Sequence, residues 1–172
     1  GLIKSLNTAK PRIIGISNTF SQGYLETLKI AKISKQICNS SLIICGGEHI
    51  GNLGPIPLIE CEYLDIIVKS EGEVPVRELL EYSYSKKALY EINSIIFKKK
   101  LLSTELIPEP LIISELPIQL TDNGYKIKDV YLENPNKPET IDLNDFPFLK
   151  YDLYQDYLSY PPYIEESRGC AW

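Results

Sequence analysis

Ser41-Leu42-Ile43-Ile44-Cys45-Gly46-Gly47 is the stretch that decides the fold. Its apolar residues run without alternation, so a strand here has no polar face and must be buried on both sides, as in a parallel sheet between helices. The two glycines end it abruptly. Working outward, Arg12-Ile13-Ile14-Gly15-Ile16-Ser17 and Asp65-Ile66-Ile67-Val68-Lys69 read as strands of the same kind. Between the first two, apolar side chains recur at Tyr24, Leu28 and Ala31 and at Ile30, Ile33 and Ile37, which predicts a helix over residues 21–38 with Ser21 as its N-cap. Residues 48–57 read as a Gly/Pro-rich loop, and residues 58–64 as one or two helical turns. Helical spacing resumes over residues 74–84 through Val76, Leu79, Leu80 and Tyr84.

The order strand, helix, strand, short helix, strand, helix demands right-handed crossovers. It predicts an α/β fold, doubly wound and flavodoxin- or Rossmann-like, with a mainly parallel sheet. Three strands are too few to complete such a sheet, so at least one more is expected upstream of Lys10. Composition shifts near residue 90: eight of the ten glycines fall at or before Gly72, and eight of the twelve prolines at or after Pro108. Residues 1–89 are read as the α/β domain, 90–132 as a small β-rich extension, and 133–162 as a linker carrying a short helix. Within the extension, residues 92–99 and 125–132 read as strands, with Asp122-Asn123-Gly124 as a tight turn.

The chain has 172 residues, 44% of them hydrophobic and 24% charged, which excludes wholesale disorder. Its 18 Lys and Arg against 23 Asp and Glu give a formal net charge of −5, unlike the basic surface of a nucleic-acid clamp. No apolar run approaches the roughly 20 residues that cross a bilayer, and the N-terminus lacks the pattern of a signal peptide. A cytoplasmic protein without membrane or nucleic-acid partners is expected. The spacing of Cys38, Cys45, Cys61 and Cys170 matches neither a disulfide scaffold nor paired CxxC metal sites, so Cys38 and Cys45 are expected as buried thiols. Lys98-Lys99-Lys100 reads as a short solvated run. Met is absent, and Glu165-Glu166-Ser167-Arg168-Gly169-Cys170-Ala171-Trp172 reads as a motif cut short, so the chain is expected to be a fragment.

Ligands of open parallel sheets bind where the strands end at their carboxyl side. Those ends are Ser17-Asn18-Thr19, Cys45-Gly46-Gly47 and Ser70-Glu71-Gly72-Glu73, all small, polar or Gly-rich. Each alone is compatible with ordinary turn and capping chemistry; together they predict a crevice open to a large flat ligand. Neither GxGxxG nor GxxxxGK[ST] follows any strand, so no dinucleotide or P-loop fingerprint is present. Asp65 stands at a strand's beginning, the wrong end for a phosphoacceptor.

The series Lys10-Pro11-Arg12-Ile13-Ile14-Gly15-Ile16-Ser17-Asn18-Thr19, Ile43-Ile44-Cys45-Gly46-Gly47-Glu48-His49 and Asp65-Ile66-Ile67-Val68-Lys69-Ser70-Glu71-Gly72-Glu73 resembles the cobalamin-binding domain of radical S-adenosylmethionine enzymes. Residues 141–148 with Tyr151-Asp152-Leu153 resemble that family's linker. Residues 166–172 resemble the opening of its CxxxCxxC cluster motif, so 163–172 would be the first strand of a truncated radical barrel. The resemblance implies cobalamin as cofactor, faced by Ser17, Asn18 and Thr19 near its nucleotide tail. Gly46 and Gly47 would let the tail pass, His49 would stand nearby in a hydrogen-bonding role, and Glu71, Gly72 and Glu73 would close the crevice. Cys170 would be the first ligand of a 4Fe–4S cluster that binds S-adenosylmethionine, its partner thiolates lying beyond Trp172. The parent would be an enzyme of methyl transfer or of radical rearrangement, cyclisation or oxidation, its barrel being the domain's partner. The fragment would have no catalysis of its own. Two other readings stay open: a non-catalytic flavodoxin-like binding module, and a degenerate domain that no longer holds cobalamin.

Overall fold

The computed structural model describes residues 1–69, 71–102, 112–121 and 124–134. The chain divides into two compact units, residues 1–137 and 138–172, and the described residues all belong to the first. The short helix, the barrel strand and Cys170 expected from the sequence lie outside the described residues.

Helix α1 (Leu2–Ala9) leads through a left-handed Lys10 into β1 (Ile13–Ser17). A single 3-10 turn over Ser21–Gly23 then opens onto α2 (Tyr24–Ile37). Ser21 therefore does not cap α2; that position falls to Gly23, without a side-chain hydrogen bond. Strand β2 (Leu42–Gly46) is followed by α3 (Glu48–Asn52) and α4 (Ile56–Glu60), where the sequence predicts mainly loop. Pro55 and Pro57 read as breakers, yet proline suits the first turn of a helix, where its missing N–H has no partner to lose. Strand β3 (Ile66–Val68), helix α5 (Glu73–Ser83) and β4 (Ile95–Lys98) follow. The hairpin of β5 (Ile112–Thr121) and β6 (Gly124–Glu133) comes last.

All six strands form one sheet in the order β1-β2-β3-β4-β6-β5. The expected parallel ladder is present from β1 to β3, with Ile13 beside Leu42 and Ile44 beside Ile66. From β4 onward every pairing is antiparallel, so the sheet is half parallel rather than mainly so. The strands after residue 90 continue the same sheet. Where the sequence reads an irregular Pro-punctuated stretch, β5 runs its length, with Pro117 between two register shifts that excuse its missing N–H.

Helices cover both faces, and successive residues of the buried strands divide between them. Against α2, α3 and α4 pack Ile14, Ile16, Ile43, Cys45, Ile67 and Ile96. Beneath α5 lie Ile13, Ile44, Ile66, Val68, Ile95, Phe97 and Leu132. Helix α1 packs on α2, with the Cys38 thiol directed at the Leu6 carbonyl 3.6 Å away.

At the floor of the sheet, buried Asp65 accepts from the Ile43 N–H (2.9 Å) and from Lys35 Nζ (2.7 Å). Lys98, which reads as solvated, is only 1% exposed, because β4 is interior and its ammonium donates to the carbonyls of Cys61 (3.3 Å) and Glu62 (2.9 Å). Cys38, Cys45 and Cys61 are free and buried, as the sequence leads one to expect of the first two. Among the described residues no helix is long and apolar enough to cross a membrane.

Candidate functional site

The three parallel strands end on a common cleft of about 850 Å³. Its floor is built from alternate residues of the α5-covered face: Gly15 and Ser17 of β1, Ile44 and Gly46 of β2, and Val68 of β3. Glu48 and Asn52 of α3 form one rim, and Glu71, Gly72, Glu73 and Val76 at the start of α5 form another. Lys69 completes the lining.

Two glycines shape this floor. A Cβ on Gly46 would press on the Val68 side chain at 3.3 Å and stand up into the cleft, so the strand end stays bare only with glycine there. Gly47 has a φ of 99°, a conformation L side chains rarely adopt, and a Cβ on it would meet the Asn18 carbonyl oxygen at 2.6 Å. The Asn18 N–H donates to the Gly46 carbonyl at 2.8 Å, which ties the ends of β1 and β2 together. Asn18 is 5% exposed, and its side-chain Oδ1 has no hydrogen-bond partner among the described residues. Buried polar atoms are seldom left so.

The electrostatics are one-sided. Glu48, Glu71 and Glu73 face Lys69 alone, and Lys69 is already held by Glu133. Glu73 also occupies the first turn of α5, where its charge offsets the positive helix end. A polyphosphate would meet net negative charge here; a ligand rich in amide N–H donors would meet acceptors. Among the described residues no cluster of three His, Cys, Asp or Glu side chains is arranged to hold a metal ion.

The residues singled out from the sequence divide clearly. Ser17, Gly46, Gly47, Glu71, Gly72 and Glu73 line the cleft. Asn18 lies beneath Gly47 as the strut between the two strands, and Thr19 is exposed just beyond it. His49 stands apart from the lining: its ring meets Tyr24 edge-on, with centroids 5.8 Å apart, on the side of α3 that packs against α2. Tyr24 in turn donates its hydroxyl to Glu60 Oε2 at 2.5 Å. Burial and the adjacent carboxylate raise its acidity constant well above the ordinary tyrosine value. Cys45, one residue before the bare glycines, turns into the opposite core, where burial pushes its thiol up to about 12.

Gly15, Ile44, Val68 and Val76 belong to the cleft but do not stand out in the sequence. The period-2 alternation identifies the strand residues among them once Gly46 is placed on the cleft side. Arg12 was also silent, yet its guanidinium donates to the Ser83 carbonyl at 2.8 Å and covers the Tyr84 ring at 4.6 Å, fastening the foot of β1 to α5.

No protein-family model matches the chain. It is similar to an uncharacterized methyltransferase of Pyrococcus horikoshii, with 29% identity over 123 residues, 70% of this chain. The chain spans only 27% of the length of that relative. Among solved structures it was matched to the cobalamin-dependent S-adenosylmethionine radical enzyme OxsB with aqua-cobalamin and S-adenosylmethionine bound, at 32% identity and a TM-score of 0.47. That match covers 56% of this chain and 13% of the other. The same enzyme with aqua-cobalamin alone gives 24% identity and a TM-score of 0.49, covering 79% of this chain and 15% of the other.

Proposed function

We propose that the cleft at the ends of β1, β2 and β3 seats a cobalamin, and that the chain is the cofactor-binding portion of a cobalamin-dependent radical S-adenosylmethionine enzyme. The observation that carries this is the bare floor at Gly46, flanked by the strand ends whose sequences resemble that family's cobalamin domain in order and spacing. The residues fit the group. A cleft of about 850 Å³ admits a bulky, flat-sided ligand, and its carboxylates suit a periphery of primary amides better than a chain of phosphates. Ser17 would meet the nucleotide tail, with Thr19 just outside it. Gly46 and Gly47 would leave the tail its passage, and Glu71, Gly72 and Glu73 would close over it. His49 holds the α2–α3 contact and takes no part in cobalt ligation. When bound, cobalamin supplies a cobalt centre able to carry a methyl group. The similarity to a protein named as a methyltransferase favours methyl transfer among the reactions open to such enzymes. Cys170 would begin the cluster motif that serves S-adenosylmethionine.

The test is a titration of the purified protein with hydroxocobalamin, followed by visible absorbance, beside a parallel titration with flavin mononucleotide. The proposal expects a saturable spectral change with the corrinoid and none with the flavin. If a further strand is required at the edge of β1, residues 1–172 alone will bind the corrinoid weakly. Saturable flavin binding without corrinoid binding would replace this reading with that of a flavodoxin-like module.

A further inference from the structure

The outer edge of β1 is open. Within the described residues β1 pairs with β2 alone. Leu42 N–H bonds the Arg12 carbonyl and Asn18 N–H bonds the Gly46 carbonyl, so residues 12, 14, 16 and 18 point their backbone groups at β2. By the same alternation Ile13, Gly15 and Ser17 turn theirs outward. An unpaired edge of β-branched residues invites another strand, and this one carries none of the charges or prolines that usually blunt such edges.

The neighbouring flank is bare as well. Leu79 of α5 is fully buried on the sheet, but Val76, Leu80 and Tyr84 follow one another along the side of α5 toward β1 and are 37%, 47% and 58% exposed. That this side faces β1 is shown by Val76 lining the cleft with Gly15, and by Arg12 reaching Ser83 and Tyr84. Over Gly15 an added Cβ would find a single atom within 4 Å, Ile44 Cγ1 at 3.9 Å. The cleft therefore has α5 as one long wall and nothing described opposite.

Handedness says where the missing wall comes from. On the face shared by α1 and α2, α2 carries the chain from β1 to β2, and α3 with α4 carry it on to β3, always in one direction across the sheet. Crossovers between parallel strands keep one hand. Helix α1 lies on that same face and enters β1, so the strand that feeds it belongs on the far side of β1, beyond the open edge. A helix covering Leu80 on the opposite face requires a connection running the other way, which makes β1 the point where winding reverses. Crevices form at such points.

We infer that the open edge of β1 and the bare flank of α5 seat a further β–α unit of the same polypeptide, contributed ahead of α1, and that this unit supplies the second wall of the cleft. The chain spans 27% of its methyltransferase relative, so chain for such a unit exists in proteins of this kind. The inference is independent of which ligand the cleft takes.

Two measurements on the natively encoded polypeptide test it. Amide hydrogen exchange compares Ile13, Gly15 and Ser17 with Ile14, Ile16 and Asn18, which β2 protects. With the seat filled, the two sets exchange within about tenfold of each other; an outward set at least about a hundredfold faster overturns the inference. The photocrosslinking residue p-benzoylphenylalanine in place of Leu80 is then mapped by mass spectrometry. A crosslinked peptide from ahead of residue 1 of the same molecule supports the proposal. A peptide from after residue 134, one from a second copy, or no crosslink overturns it.

Discussion

Gly47→Ala isolates the junction on which the cleft floor rests. Gly47 stands between β2 and α3 at a φ of 99°, and an alanine Cβ there would lie 2.6 Å from the Asn18 carbonyl oxygen and 2.8 Å from its carbonyl carbon. Holding a non-glycine residue in such a conformation costs about 1–3 kcal/mol. The contact is to backbone, which is itself bonded to Gly46 at 2.8 Å, so it relaxes only by moving the end of β1. Overpacking of this sort adds about 1–3 kcal/mol. The two together give roughly 2–6 kcal/mol. For a protein of this length each kcal/mol lowers the melting temperature by about 2–4 °C, so a drop of roughly 5–20 °C is expected. Thermal unfolding followed by circular dichroism measures it, with urea unfolding at unchanged slope to show that the native state is the one affected. A drop of less than about 2 °C would refute the account of Gly47 as a backbone contact in a strained turn.

Three further outcomes follow from the same structure. Asp65→Ala strands the Lys35 ammonium and the Ile43 N–H at a buried position, and a loss of about 2–5 kcal/mol in urea unfolding is expected; Asp65→Asn, which keeps an acceptor, should lose less. Cys45, with a thiol raised from 9.0 to about 12, stays protonated in the folded state at pH 8, so iodoacetamide should label it only after unfolding. Because the unfolded thiol ionises first, its contribution to stability is whole below pH 9 and declines as pH rises from about 9 to 12, which alkaline unfolding curves should show. His49→Ala removes the edge contact with Tyr24 and should lower stability by about 0.5–1.5 kcal/mol while leaving the absorption bands of bound hydroxocobalamin unshifted; shifted bands would put the imidazole on cobalt.

The parallel half of the sheet was legible because Ile13–Ser17, Leu42–Gly46 and Ile66–Val68 can be strands only if buried on both faces. Their carboxyl ends marked the cleft, since Gly46 and Gly47 have no role in a strand except to stop it or keep it bare. What escaped was decided by tertiary contact. Gly51, which reads as a loop residue, sits within α3 because a Cβ there would meet the Lys69 carbonyl oxygen at 2.8 Å. Lys98 gives no local sign of burial; two carbonyls after α4 reach it across more than thirty residues of chain. His49 follows the glycine pair in sequence, but the helical turn begun at Glu48 carries it to the α2 side, while Glu48 and Asn52 keep the cleft side. A pattern of residue types places a loop; the helix within it decides which side chains face the ligand.

The central claim concerns position, and an experimental structure of the protein with hydroxocobalamin measures that directly. The account predicts the nucleotide tail lying over Gly46, in van der Waals contact with its Cα, between Ser17 and the start of α5. Corrinoid density bound elsewhere, or a tail held away from Gly46 with the cleft floor untouched, would contradict it.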